Sequence, residues 1–174
     1  MNKSNNKFRH YIFPIFLILV LSVSRLIPHP SNFTPILAVG IFSGFYFRSF
    51  ILSFFIVIVS MFIGDLLLGF HNTMIFTYAS LILVVLIGSS IKNFKFREIL
   101  FSGIVGSLCF FIITNFGAWL TLEIYTKNIS GLVAAYTMAI PFFHNTLIST
   151  FLYLALIKII FDFAVKKRIA ISSF

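Results

Sequence analysis

Few side chains in this sequence can do chemistry, and they fall in four narrow bands. Arg25, His29, Asn32 and Thr34 form the first; Asp65, His71, Asn72, Thr77 and Tyr78 the second; Asn115 and Trp119 the third; Tyr136, His144 and Asn145 the fourth. Asp65 is read as the only acid lying deeply enough in an apolar run to act. A bare carboxylate there is costly, so it must be paired, protonated or solvated. Arg25 is its nearest candidate partner. Together they could meet charged or polar groups of a ligand, with Asn115, Asn145 and Tyr136 orienting it and Trp119 stacking on a ring. Asp65 with His71 or His144 could instead serve as acid and base. Recognised phosphate-loop, zinc-protease and serine-hydrolase motifs are absent from the sequence. Neither a metal nor a cofactor is expected, and the chain is read as a binder rather than an enzyme.

The elements that must position these residues are apolar runs. Hydrophobic residues make up 60% of the 174 residues and charged residues 10%, against roughly 45–50% and 25% in soluble domains. A bilayer span needs about 20 apolar residues, with roughly 17 as the lower limit. The runs 11–27, 33–48, 50–68, 74–91, 99–121 and 132–164 predict an all-α, single-domain, integral membrane bundle of six helices over residues 1–174. The second run is the weakest, being short and opened by Pro35. Pro141 should divide the last into a short helix and a spanning one.

Basic residues set the orientation. They cluster at Lys3, Lys7 and Arg9, at Arg48, at Lys92, Lys95 and Arg97, and at Lys166, Lys167 and Arg168, with two apolar runs between successive clusters. Cytoplasmic loops retain Lys and Arg. Both termini and the loops after the second and fourth runs are therefore expected in the cytoplasm, which places all four polar bands in the outer half. These clusters hold ten of the thirteen basic residues, so the net charge of +9 marks topology, not nucleic-acid binding. The lone Cys109 excludes an internal disulfide.

Each polar residue also has a packing reading. Arg25 and Asp65 could only tie two helix ends together, and Asn115 could be interhelical glue. Trp119 and the tyrosines could be an interfacial belt, and the histidines could be boundary residues. Convergence at one depth favours a pocket open to the outside. Gly40-x-x-x-Gly44 permits close helix approach, either inside the bundle or as a docking face for a partner subunit.

Four strings carry a resemblance: Arg25-Leu-Ile-Pro-His-Pro-Ser-Asn-Phe-Thr-Pro35, Gly64-Asp-Leu-Leu-Leu-Gly-Phe-His71, Asn115-Phe-Gly-Ala-Trp-Leu120 and Tyr136-Thr-Met-Ala-Ile-Pro-Phe-Phe-His-Asn-Thr-Leu147. In this order they resemble a family of small bacterial membrane proteins assigned to transport, without a defined substrate. That family is in turn similar to the substrate-binding S components of energy-coupling-factor (ECF) vitamin transporters. A Gly-Asp pair is associated with the end of the last string, where this chain has Ile148-Ser149. The resemblance implies an S-component-like bundle in the bacterial inner membrane that captures a small vitamin-like molecule from the outer face. It also implies partnership with a coupling subunit and ATPases. The alternatives to capture are the enzyme reading given above and a structural or assembly role.

Overall fold

The computed structural model describes the backbone of residues 3–172 and the side chains of residues 14–163, 165 and 166. The side chains of Lys3, Lys7, Arg9, Lys167 and Arg168, expected to mark the cytoplasmic face, lie outside the described residues. Among the described residues there are seven α-helices and no strand: α1 (Lys3–Leu26), α2 (Ile36–Phe47), α3 (Phe50–Leu68), α4 (Met74–Ser90), α5 (Phe96–Thr121), α6 (Ile129–Met138) and α7 (Ile140–Ser172). Three stretches are long and apolar enough to cross a membrane: Phe50–Leu68, Phe96–Thr121 and Ile140–Phe163.

The second run departs from its expected length. Pro28, Pro30 and Pro35 hold residues 28–35 out of a helix, because proline lacks a backbone donor and restricts the residue before it. The helix that follows has 12 residues, about 18 Å of rise, well short of the roughly 30 Å hydrocarbon layer. Residues 36–44 of α2 are all buried, and the helix packs on α3, α4, α5 and α7. It is a central post, not a lipid-facing span. The last run divides as expected. α6 ends at Met138, and Pro141 sits in the first turn of α7, where a missing donor is tolerated.

Glycine explains how α2 reaches its neighbours. A Cβ on Gly44 would lie 2.5 Å from the Val85 carbonyl oxygen and 2.7 Å from the Ser89 nitrogen. One on Gly88 would collide with the Ile41 backbone. A Cβ on Gly40 would stand 3.0 Å from Val84 Cγ1. The docking face expected at Gly40 and Gly44 is thus occupied by α4 of the same chain; close approach serves the core.

The two ends of the bundle differ. At the end bearing Arg48 and Lys92, Phe42, Phe45, Phe94 and Phe161 pack ring against ring, with centroids between 4.9 and 6.1 Å apart. Arg48 closes that end. Its backbone turns α2 into α3 with φ 52°, and its guanidinium donates to the Ile91 and Lys92 carbonyls at 2.9 and 2.8 Å. Those carbonyls lie at the C-terminus of α4, where a cation also complements the helix dipole. Lys158, late in the last apolar run, is paired with Asp162 one turn on in α7.

Candidate functional site

The end opposite the aromatic cluster is hollow. A cavity of about 380 Å³ opens there, with walls supplied by the end of α1, the 28–35 segment, and α2, α3, α4, α5 and α7. Each helix delivers the terminus that lies far from Arg48 and Lys92, so the polar residues meet at one depth.

Arg25 sits at the last turn of α1. Its Nη1 donates to the Met61 carbonyl at 2.8 Å and stands 2.7 Å from Asp65 Oδ1. The Asp65 contact is one of charge rather than an aligned hydrogen bond, since Oδ1 accepts none. The other oxygen, Oδ2, accepts from the Tyr78 hydroxyl at 2.6 Å. The Asp65 side chain is completely buried and that of Arg25 is 17% exposed. Asp65 thus stands behind the wall and holds Arg25, which does line the cavity. This union of α1, α3 and α4 answers the cost of burying a carboxylate.

Four more of the expected site residues reach the cavity: His29, Asn32, His71 and Asn115. Asn115 donates Nδ2 to the Phe111 carbonyl at 2.7 Å, and His71 Nδ1 meets the Thr73 hydroxyl at 2.8 Å. His29 Nδ1 meets the Ile27 carbonyl, folding the ring against its own segment. Asn32 has φ 62°, a left-handed conformation that asparagine tolerates better than most residues.

The remaining expected residues do not line it. Trp119 donates Nε1 to the Thr126 carbonyl at 3.0 Å and packs beside Phe116. The Tyr136 hydroxyl donates to the Ile112 carbonyl at 2.8 Å, and its ring borders a separate apolar groove between α5 and α6. His144 is exposed outside the cavity. Asn145 stands one step behind the wall, donating Nδ2 to the Ser31 carbonyl at 3.0 Å and so fixing the 28–35 segment.

Hydroxyls complete the wall, and only two of them, Thr34 and Thr77, fall in the polar bands of the sequence. Thr34, Thr73, Thr77, Thr114, Thr146 and Ser149 all line the cavity. Their signal in the sequence was spacing: Thr73 and Thr77 are one turn apart, as are Thr146 and Ser149. Such hydroxyls usually bond their own helix backbone, which hides their second capacity as acceptors. Among the described residues, no three His, Cys, Asp or Glu side chains are grouped to hold a metal.

Fold and site together define an all-helical membrane protein with a polar cavity at one end of the bundle. The chain belongs to the family of unknown function DUF6580, whose model matches residues 5–171. No curated protein and no solved structure matches it.

Proposed function

We propose that this protein crosses the membrane six times and captures a small polar molecule at the face opposite its basic loops. It would do so as the substrate-binding subunit of an uptake system, in the manner of an ECF S component. One observation carries the reading. Polar side chains from separate helices converge on one cavity of about 380 Å³ inside one end of the bundle, whereas at the other end aromatic rings fill the core and the hollows beside Lys92 and Phe101 are open surface grooves. Helices that only needed fixing to one another would favour a filled interior at both ends. The volume lies at the lower end of the roughly 300–1,000 Å³ typical of small-molecule sites. On this reading the termini and the basic loops face the cytoplasm. Energy for uptake would come from a separate ATPase module, since the chain has no phosphate loop. A coupling subunit would dock elsewhere than at Gly40 and Gly44.

The test is to purify the protein in nanodiscs, extract it and identify bound small molecules by mass spectrometry. A stoichiometric molecule that is lost from a folded Asn115→Leu variant, whose apolar side chain replaces the amide in the cavity wall, is the expected result. A wild-type protein that is consistently empty and stabilised by no metabolite would leave only a structural role.

A further inference from the structure

Charge and hydrogen-bond direction in the wall narrow the chemistry of the captured molecule; this step rests on the capture reading above. Arg25 is the only lysine or arginine among the lining residues, and no carboxylate is among them. Asp65, 2.7 Å behind it, cancels its charge. The two histidines are at the exposed rim, where solvent and salt screen them. An anionic ligand would therefore bring a partly buried charge that the wall does not balance, which is costly.

Hydrogen-bond direction points the same way. Thr77, Thr114 and Thr146 donate their hydroxyl protons to the carbonyls one turn earlier, at 3.3, 2.7 and 2.9 Å. Ser149 donates to the Asn32 or the Thr146 carbonyl. A hydroxyl has one proton, so these four side chains offer a ligand their lone pairs. Asn115 donates one of its two amide protons to Phe111 and keeps its carbonyl oxygen and its second N–H. Acceptors thus outnumber donors on the α4, α5 and α7 walls. Arg25 is the opposite: Nε and Nη2 have no partner among the described residues and neither is buried. That edge can only donate.

We infer that the cavity takes a small uncharged amide or ureide, its carbonyl oxygen at the free edge of Arg25 and its N–H or hydroxyl donors at the threonine-rich walls. A carboxylate fits poorly on both counts, since it adds charge and has no donor.

The test is thermal stabilisation of the wild-type protein in nanodiscs by a library of small metabolites containing matched pairs, among them nicotinamide with nicotinate and uracil with orotate. Within any pair that acts, the uncharged member should bind at least about tenfold more tightly, a difference of 1.4 kcal/mol. Tighter binding by the carboxylate members would overturn this inference and leave the capture reading standing. No stabilisation by any compound would sink both. Asp65→Asn, which uncovers the charge of Arg25, should shift preference toward the carboxylate member; an unchanged preference in a folded variant would contradict the role given to charge cancellation. Where that variant does not fold, the wild-type comparison decides alone.

Discussion

Arg25 reaches Asp65 by passing directly over Gly64. A Cβ at Gly64 would collide with Nη1 of Arg25 and lie 3.0 Å from its Cδ and Cζ. The residue beside the buried carboxylate is therefore the residue that admits its partner. Gly64→Ala should push the guanidinium aside and leave Asp65 without its counter-charge. Breaking a buried pair costs roughly 3–5 kcal/mol, and the partial exposure of Arg25 puts the expected loss at or below the lower end. Thermal unfolding in detergent should show it. The same glycine change made in an Asp65→Asn background should cost clearly less, and strict additivity would show that the glycine does not act through the pair.

Tyr78 is the second restraint on that carboxylate. Its hydroxyl lies 2.6 Å from Asp65 Oδ2, and a hydrogen bond to a charged group contributes about 1.5–3 kcal/mol. Tyr78→Phe should lower stability by an amount in that range without closing the cavity, because Tyr78 is not among its lining residues. A phenylalanine variant as stable as wild type would mean that the carboxylate is held by Arg25 alone.

How much of this could be read from the sequence depends on the kind of signal. Arg25 and Asp65 were matched in depth because both stand at the ends of apolar runs, and charge leaves few partners at that depth. Pro141 marked the α6–α7 break because a missing donor acts locally. Gly40 and Gly44 revealed close approach but not to what, since a G-x-x-x-G face fits a neighbouring helix or another protein equally well. Tyr136 and Asn145 were assigned to the site by depth, and Trp119 by depth and its place four residues from Asn115. Their direction is set by helix rotation, and these helices are apolar nearly all round, so no polar face betrays it. The length of α2 was overestimated because Ile36 to Phe47 looks like the centre of a span, whereas its burial comes from protein on every side.

The interlock of Gly44 with Gly88 carries its own expectation. Gly44→Leu must displace the Val85–Ser89 backbone, and Gly88→Ala must displace that of Ile41. Backbone cannot rotate away as a side chain can, so each should cost at least about 3 kcal/mol, the upper part of the range for overpacking. Both variants should aggregate or lose monodispersity on size-exclusion chromatography. A well-folded Gly44→Leu protein would reopen the possibility that this face docks a partner.

Orientation can be settled independently of any ligand. Reporter fusions after Phe94 and at the C-terminus should give cytoplasmic-type signals, because Lys92, Lys95 and Arg97, and Lys166 to Arg168, flank those points. A periplasmic signal from either would turn the cavity toward the cytoplasm and remove capture from outside.

The 28–35 segment is held over the cavity by α7. Asn145 donates to the Ser31 carbonyl at 3.0 Å and Ser149 to the Asn32 carbonyl at 3.3 Å, while the Phe33 ring meets Tyr153 edge to face at 6.3 Å. Pro28, Pro30 and Pro35 flank those anchors and stiffen the segment, so little of its shape depends on the two hydrogen bonds. Its placement against the bundle does. Asn145→Ala should therefore cost only about 1 kcal/mol or less of global stability, the usual contribution of one such bond. Its larger effect should be kinetic. With Ser31 released, the wall carrying His29 and Asn32 opens more often, and a bound molecule should leave up to roughly tenfold faster at nearly unchanged association rate, as is usual for changes within one interface. Hydrogen exchange at residues 31–34 should rise in parallel. Dissociation as slow as wild type, with those amides exchanging faster, would show that the segment is only a connection between α1 and α2 and takes no part in retention.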